Sequence, residues 1–226
     1  KIGAEVVCEY ARRMGITSPL DCVPSLALGT TDLSVYELTG AYNTFVNKGV
    51  WVQPGFVTRI EDKNHNVLEE FIPEYREAIN ERTAYLMVNM LQGVLDEPGG
   101  TGGRIRFKYK LYNALGGKTG TTQNHSDGWY MGISPNLSAG VWVGCSDRSM
   151  RFRTISYGQG AALALPIYAL FMQKVYADST IGLPKDPFPR PRKLDIELDC
   201  SKFKAGDFYM GRDSLGEGNK SVLDFD

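Results

Sequence analysis

Residues 115–122 read LGGKTGTT, and two further stretches, DGWYMGI at 127–133 and LSAGVWVG at 137–144, follow within a few residues. All three are short runs of small, β-branched and aromatic residues, a composition that is typical of strands. Only SPN at 134–136 separates the last two stretches, so they should pair as an antiparallel hairpin. The sequence therefore predicts three consecutive antiparallel strands, the first of which carries a Lys-Thr-Gly triplet.

Apolar residues at helical spacing predict helices earlier in the chain. One covers residues 1–14. A second begins at a capping box formed by Ser34 and Glu37, in which each side chain satisfies a free backbone N–H at the helix start. A third runs from about Asn80, a good N-cap, to Leu95. We expect the buried stripe of this third helix to consist of Leu86, Met87, Met90, Leu91 and Val94.

A long apolar helix is predicted after the strands, at about residues 160–176. We expect its inward face to consist of Leu163, Ile167, Leu170, Phe171 and Val175. Nearer the start of the chain, residues 56–61 and 67–71 read as strands joined by a turn at 62–66, which predicts a hairpin at the rim of the domain. Together these elements predict the α+β fold class, with helices packed on an antiparallel sheet.

The chain changes character near its C-terminal end. Four prolines between residues 184 and 191 indicate a linker. Residues 195–226 carry eight carboxylates against four basic side chains, which is typical of a solvated appendage. We therefore expect one domain at 1–183, followed by a proline-rich linker and acidic appendage at 184–226.

Composition excludes several classes of function. The chain has 226 residues, of which 42% are hydrophobic and 23% charged, and its net charge is −1. These values are ordinary for a globular protein and do not indicate a nucleic-acid partner. No run of apolar residues reaches the roughly 18 that span a bilayer, and the first residue is Lys1 rather than Met. We expect any membrane anchor to lie outside this chain.

The four cysteines, Cys8, Cys22, Cys145 and Cys200, form no Cys-x-x-Cys pair, so we expect neither zinc binding nor redox chemistry. Cys8 lies in a helical pattern and Cys145 ends a strand pattern, and both are predicted to be small core residues. An oxidising compartment would allow three disulfide connectivities, among which the sequence does not choose. Our prediction is that no disulfide forms.

The motif with chemical content is GGKTGTT at residues 116–122. Its Gly-Lys-Thr imitates the end of a phosphate-binding P-loop, but a P-loop needs a glycine where this chain has Tyr112, and a helix should follow it. The glycines and turn residues after Thr119 argue against that helix. A second interpretation fits the strand better: the third motif of serine acyl-transferases that act on D-alanyl peptides and β-lactams.

Over residues 1–177 the chain resembles the class A, bifunctional penicillin-binding proteins. Six stretches carry the resemblance in order: PSLALGT at 24–30, SVYELTGAYNTFVNKG at 34–49, GTG at 100–102, GKTGTT at 117–122, DGWY at 127–130 and GVWVG at 140–144. The family has Asp-Ala-Trp-Phe where this chain has DGWY. The resemblance implies the C-terminal part of a penicillin-binding, serine β-lactamase-like transpeptidase fold.

The resemblance also implies a reaction. A serine attacks a D-Ala-D-Ala stem peptide, releases D-Ala and passes the acyl group to an amine of a neighbouring strand. It implies catalytic roles for Lys118, in carboxylate recognition and proton relay, and for Thr121, whose N–H serves the oxyanion hole. The glycine of the triplet should leave room for the substrate backbone. Substrate-binding candidates are Thr119, Gly120, Thr121 and Thr122, with Asp127 in second rank.

In the family, a Ser-x-x-Lys motif with the nucleophile and a Ser-x-N motif precede the matched region. We therefore expect both to lie upstream of Lys1 and the fragment alone to be inactive. Residues 201–204, SKFK, and 134–136, SPN, fit the two patterns but follow the Lys-Thr-Gly triplet, and we interpret both as chance matches. His65 and His125 lie in loops with no serine or cysteine partner in the pattern.

The implied partners of the parent protein are peptidoglycan stem peptides, β-lactams and other cell-wall synthesis proteins, with no cofactor and no metal ion. The implied location is extracytoplasmic, at the periplasmic face of the inner membrane. Two alternatives stay open on the sequence. One is a D,D-carboxypeptidase or serine β-lactamase relative, which shares the triplet. The other is a non-catalytic structural or regulatory module of a cell-wall protein.

Overall fold

The computed structural model describes residues 2–194, 196–199 and 202. The chain divides into two compact units, Lys1–Arg192 and Lys193–Asp226. The helices are α1 (Ala4–Arg13), α2 (Val35–Val46), α3 (Glu81–Asp96), α4 (Arg104–Phe107), α5 (Ile155–Gly158) and α6 (Gly160–Ala177). The strands are β1 (Val50–Val52), β2 (Arg59–Glu61), β3 (Val67–Glu70), β4 (Tyr75–Glu77), β5 (Gly116–Thr121), β6 (Gly128–Ser134) and β7 (Leu137–Val143).

The central sheet has the strand order β5-β6-β7, and both neighbouring pairs are antiparallel. Along β5, Gly117 lies opposite Gly132 and Thr119 lies opposite Tyr130 of β6. The β6–β7 hairpin closes where Ser134 pairs with Leu137. The three predicted strands and the α+β class are therefore confirmed. The short turn at 134–136 favours antiparallel pairing of the two strands that it joins.

Helix α6 packs on one face of this sheet through small residues. A Cβ at Gly132 would lie 2.2 Å from the Tyr168 ring, and a Cβ at Gly128 would lie 3.0 Å from Leu163. The glycines of β6 thus let the helix approach closely. The buried residues of α6 are Gly160, Ala161, Ala164, Leu165, Tyr168, Ala169, Met172 and Val175.

The predicted inward face of this helix is wrong in part. Val175 is buried, but Ile167, Leu170 and Phe171 are exposed. By length and composition alone, the helical stretch Ile155–Ala177 could cross a membrane, so apolar residues occur on all its sides and their spacing cannot select one. The sheet makes the selection instead: the side of α6 that carries Ala164, Leu165 and Tyr168 is buried against it, with the Tyr168 ring beside Gly132.

Helices α2 and α3 contact the opposite face of the sheet. A Cβ at Gly116 would lie 3.1 Å from the backbone of Leu91, and Val88, Leu91 and Ile133 are buried together on this side. The predicted start of α3 is confirmed, because the Asn80 side chain accepts a 2.8 Å hydrogen bond from the Thr83 N–H. The sheet is therefore the middle layer of three.

The predicted stripe of α3 is rotated relative to the observed one. The buried residues of the helix are Ala84, Val88, Leu91 and Leu95. Of the predicted stripe, only Leu91 is buried, and Met90 is 59% exposed. The physical reason is tertiary packing: Val88 and Leu91 lie in one buried cluster with Ile133 of β6, whereas Leu86 and Met87 are only half-buried.

Two small sheets complete the described fold. Strand β2 pairs with β3, and β1 pairs with β4, both antiparallel. The first pair is the predicted rim hairpin, shorter than predicted and exposed at every residue. The β1–β4 pair was not predicted, because three-residue strands are too short to show periodicity.

A disulfide joins Cys8 of α1 to Cys22 in the segment that follows it, with 6.0 Å between the two Cα atoms. The prediction that no disulfide forms is wrong. Cys8 is buried, as predicted, but as half of a cross-link, while Cys145 is free and half-buried. The turn-rich segment after α1 folds back on the helix, a non-local contact that spacing alone does not reveal.

The carboxylate of Glu37 links the segment between α1 and α2 to the start of α2. It accepts hydrogen bonds from the backbone N–H and the hydroxyl of both Thr17 and Ser18, each at 2.8 Å. It also completes the predicted capping box with Ser34. Burial raises the pKa of Glu37, but the hydrogen bonds from Ser18, Thr17 and Ser34 outweigh burial and hold that pKa well below its usual range.

The segment after α6 returns to the domain at Phe188. This side chain is 7% exposed and lies in the cluster formed by Val88, Leu91 and Ile133. Packing in the first compact unit therefore extends to Arg192. The boundary at residue 184, which was drawn from the prolines and the acidic composition that follow it, stays a prediction.

We predict that Phe188→Ala destabilises the chain by about 3–5 kcal/mol, the usual cost of emptying a buried aromatic site. The measurement is guanidinium unfolding at equilibrium. Phe107→Ala is the matched control, because Phe107 is 65% exposed and should cost less than about 0.5 kcal/mol. Equal losses for the two variants would contradict the packing of Phe188.

We also predict that Glu37→Gln lowers the melting temperature at pH 7, because an amide presents one acceptor oxygen where the carboxylate presents two. The folded pKa of Glu37 lies below its unfolded value, so its contribution is complete above about pH 4.3 and is lost as pH falls toward the folded pKa. The difference between wild type and variant should therefore shrink at pH 3. Glu9→Gln, on the exposed side of α1, should show neither effect.

Candidate functional site

Strand β5 lies at an edge of the central sheet. Its partner β6 lies on one side, and among the described residues no strand pairs with its other side. The Thr122 N–H donates toward β6, to the Asp127 carbonyl at 3.2 Å. Because backbone groups alternate in direction along a strand, the N–H and C=O groups of Thr119 and Thr121 point to the open edge.

Lys118 lies on the open strand with an exposed side chain. Its Nζ donates a 2.8 Å hydrogen bond to the Thr119 carbonyl, one of the groups that the alternation directs to the open edge. The ammonium group is therefore held beside that edge. Lys118 pairs with Met131, so its side chain leaves the sheet on the α2–α3 face.

The hydroxyls of Thr119 and Thr121 leave the sheet on the opposite face, the one that α6 covers. Thr119 Oγ1 lies 2.7 Å from Thr101 Oγ1, and Thr121 Oγ1 accepts a 3.0 Å hydrogen bond from the Gly160 N–H. The structure thus brings Lys118 and the two hydroxyls to one edge of the sheet but on different faces. A ligand along that edge could contact both.

Gly160, the first residue of α6, explains how Thr121 is held. A Cβ at this position would lie 2.3 Å from the Gly120 carbonyl oxygen and 2.4 Å from that of Trp129. Only glycine lets the helix begin this close to β5 and β6. A Cβ at Gly120 itself would lie 3.0 Å from Trp129 Cβ, so a side chain at this position of the triplet would crowd the neighbouring strand.

Thr122 and Asp127 close the connection between β5 and β6. The Thr122 hydroxyl accepts from the Asp127 N–H at 2.9 Å and lies 2.9 Å from the Ser126 hydroxyl. Asp127 is buried, and its carboxylate is 3.1 Å from Thr122 Oγ1 and 3.2 Å from Ser126 Oγ. These contacts favour a structural role for both residues, and their roles toward a substrate stay predictions.

Around those of the other candidate residues that the structure describes, no second catalytic constellation appears. Ser134 is buried in the β6–β7 turn, where its hydroxyl donates to the Leu137 carbonyl. His65 contacts Glu61 in the rim hairpin, and the Nδ1 of His125 is buried without a hydrogen-bond partner. Ser201 lies outside the described residues. Within the part of the chain that the structure describes, no group of His, Cys, Asp and Glu residues could hold a metal ion.

Sequence reasoning assigned no role to Thr101 or Gly160, although both contact the predicted site. Thr101 lies in the GTG stretch at 100–102, which was noticed as a motif without a function. Gly160 carries no local signal, because one glycine at the start of an apolar helix is unremarkable in sequence. Both contacts join residues far apart in the chain, at separations of 18 and 39.

Comparison with known proteins gives consistent results. Residues 23–147 match the family described as "Penicillin binding protein transpeptidase domain". Penicillin-binding protein 1A of Aquifex aeolicus (strain VF5) is 35% identical over 189 residues, which are 82% of this chain and 25% of that protein. Penicillin-binding protein 2D of Bacillus subtilis (strain 168) is 32% identical over 195 residues, which are 84% of this chain and 27% of that protein.

The fold has a match among solved structures as well. A crystal structure of penicillin-binding protein 1A from Haemophilus influenzae has a TM-score of 0.71 at 23% sequence identity, covering 84% of this chain and 33% of that one. At this identity the similarity concerns the fold alone. The chain spans about a quarter of the length of the two curated relatives.

We predict that Gly160→Ala destabilises the chain by more than about 1 kcal/mol, because the new Cβ meets fixed backbone oxygens rather than flexible side chains. Gly93→Ala is the control. Gly93 lies inside α3, where a Cβ would meet only the flexible Glu97 side chain at 3.3 Å, and alanine should stabilise a helix interior there by about 0.5–1 kcal/mol. Urea unfolding of both variants tests the difference in sign.

Proposed function

This chain belongs to the penicillin binding protein transpeptidase domain family, and we propose that it forms the Lys-Thr-Gly wall of a D,D-transpeptidase active site in a class A protein. A Ser-x-x-Lys motif upstream of Lys1 supplies the nucleophilic serine. The observation that carries the proposal is the open edge of β5. Four groups lie along this edge: the Thr121 N–H, the Lys118 ammonium on one face of the sheet, and the Thr119 and Thr121 hydroxyls on the other face.

The substrate is the D-Ala-D-Ala end of a peptidoglycan stem peptide, which lies along β5 as an added strand. The exposed N–H and C=O groups of Thr119 and Thr121 pair with its backbone. The serine oxygen attacks the carbonyl carbon of the D-Ala-D-Ala peptide bond. The C–N bond breaks, D-Ala leaves after its nitrogen gains a proton, and the acyl group stays on the serine as an ester. An amine of a second strand then attacks this ester: the new C–N bond forms, the C–O bond to serine breaks, and a proton of the amine returns to the serine oxygen.

Each group at the edge takes part in this reaction. The Thr121 N–H donates to the oxyanion that forms when serine attacks, where a fixed donor stabilises the developing charge. Lys118 places a positive charge beside the terminal carboxylate and relays a proton. The hydroxyls of Thr119 and Thr121 donate to the same carboxylate. β-Lactams, which carry an equivalent carboxylate, bind in the same way.

The location we propose is extracytoplasmic, at the periplasmic face of the inner membrane, where peptidoglycan and its other synthesis proteins are found. The Cys8–Cys22 disulfide supports this location, because such bonds persist in oxidising compartments. The alternative of a D,D-carboxypeptidase or serine β-lactamase relative is disfavoured, because the matching family is a transpeptidase domain and both curated relatives are penicillin-binding proteins. Nothing in the geometry favours a non-catalytic module, since the β5 edge keeps its ligand-facing groups unpaired by any described strand.

The proposal is tested by Lys118→Ala in the full-length protein that contains this chain. Charge-assisted hydrogen bonds are worth roughly 1.5–3 kcal/mol each, so acylation by a fluorescent penicillin should slow at least about tenfold. The melting temperature should change little, because the Lys118 side chain is exposed. Lys63→Ala, in the exposed rim hairpin, should alter neither quantity.

Two outcomes would remove the proposal. One is an acylation rate of the Lys118→Ala variant equal to that of wild type while the fold is intact. The other is a wild-type protein in which no residue is labelled by penicillin, which would leave the family fold without the activity. A large fall in melting temperature would instead assign Lys118 a structural role.

A further inference from the structure

Thr101 is the only described residue outside β5 whose side-chain oxygen contacts the hydroxyl of Thr119, at 2.7 Å. The two threonines are 18 residues apart in the chain. Thr101 is exposed, whereas Thr119 is half-buried. The contact therefore lies at the surface of the sheet edge, next to the groups that we assign to carboxylate binding.

The turn that carries Thr101 is held against its surroundings by backbone contacts. The Gly102 N–H donates to the Val94 carbonyl at 3.0 Å, and a Cβ at Gly100 would lie 2.3 Å from the same oxygen. On its other side, Arg104 donates from Nη1 to the Ala161 carbonyl in the first turn of α6, at 3.3 Å. The turn is thus fixed to α3 and to α6, the two helices that hold β5.

The number of hydroxyl protons determines which of the two threonines donates in this contact. A threonine hydroxyl has one proton to donate and two lone pairs that accept. A carboxylate only accepts, so Thr119 can serve it only with its own proton. That proton is free when Thr101 donates to Thr119 rather than the reverse. The Thr121 hydroxyl is arranged in the same way: it accepts a hydrogen bond from the Gly160 N–H, which leaves its own proton free for the carboxylate.

We infer that Thr101 is a positioning residue, whose O–H donates to Thr119 and directs the Thr119 proton toward the carboxylate of the bound peptide. Together with the Gly160 N–H, it forms a row of donors behind the two carboxylate-binding hydroxyls. Thr101 does not touch the substrate in this arrangement and acts through Thr119. The inference rests on the proposed function, because it assigns the carboxylate to this row.

The test uses acylation of the full-length protein by benzylpenicillin and by its methyl ester, which lacks the free carboxylate. Thr101→Val keeps the shape of the side chain and removes its proton, so acylation by benzylpenicillin should fall about threefold to tenfold, the value of one hydrogen bond. Acylation by the ester should not change. Thr101→Ser should restore the rate with benzylpenicillin, and Thr58→Val, at an exposed site in the segment before β2, should have no effect.

A double substitution separates positioning from a merely structural role. Because Thr101 acts through Thr119, adding Thr101→Val to a Thr119→Val protein should cause no further loss. Additive losses would overturn the inference, and so would equal losses with benzylpenicillin and its ester. If wild type is acylated and Lys118→Ala is slow while Thr101→Val reacts normally, the inference alone fails. A wild type that penicillin does not label would overturn both proposals.

Discussion

The close approach of α6 to strands β5 and β6 is the contact on which the rest of the site depends. At Gly160 the helix begins so near the strands that a single added carbon would lie 2.3 Å from a backbone oxygen. Further along, Gly132 accommodates the Tyr168 ring. This packing leaves the first N–H of the helix within 3.0 Å of the Thr121 hydroxyl. A helix terminus, which normally has unsatisfied N–H groups, thereby orients a side chain of the candidate site.

The same packing determines what β5 can do. An exposed edge strand can cause aggregation, because its unpaired backbone groups can hydrogen-bond to strands of other chains. Here that edge carries the charge of Lys118 on one face and hydroxyls on the other, with N–H and C=O groups between them. An extended peptide that ends in a carboxylate has the complementary groups. In our proposal, this unpaired edge of β5 is the surface that binds the peptide.

The early part of the chain is held by a different set of interactions. The Cys8–Cys22 disulfide joins α1 to the segment that follows, and Glu37 joins that segment to the start of α2. Helix α2 in turn covers the face of the sheet from which Lys118 projects. A cross-link and a multiply hydrogen-bonded carboxylate thus hold helix α1, whose Val6 and Val7 side chains are exposed, to the elements that follow it.

Local chemistry was sufficient to predict the longer helices and the strands of the central sheet, but not the three-residue strands β1 and β4. Residues within a few positions of each other form the Ser34 capping box, the Asn80 N-cap and the short turn at 134–136, so the sequence determined them directly. The Lys-Thr-Gly triplet marked the strand that carries the candidate site. Tertiary structure decided everything that joins distant residues: which side of α6 faces inward, the pairing of Cys8 with a partner, and the contacts of Thr101 and Gly160 with β5. An apolar helix has no preferred side until it packs against a sheet, where Gly132 leaves room for the Tyr168 ring, and a hydroxyl has no orientation until a donor from another element approaches it.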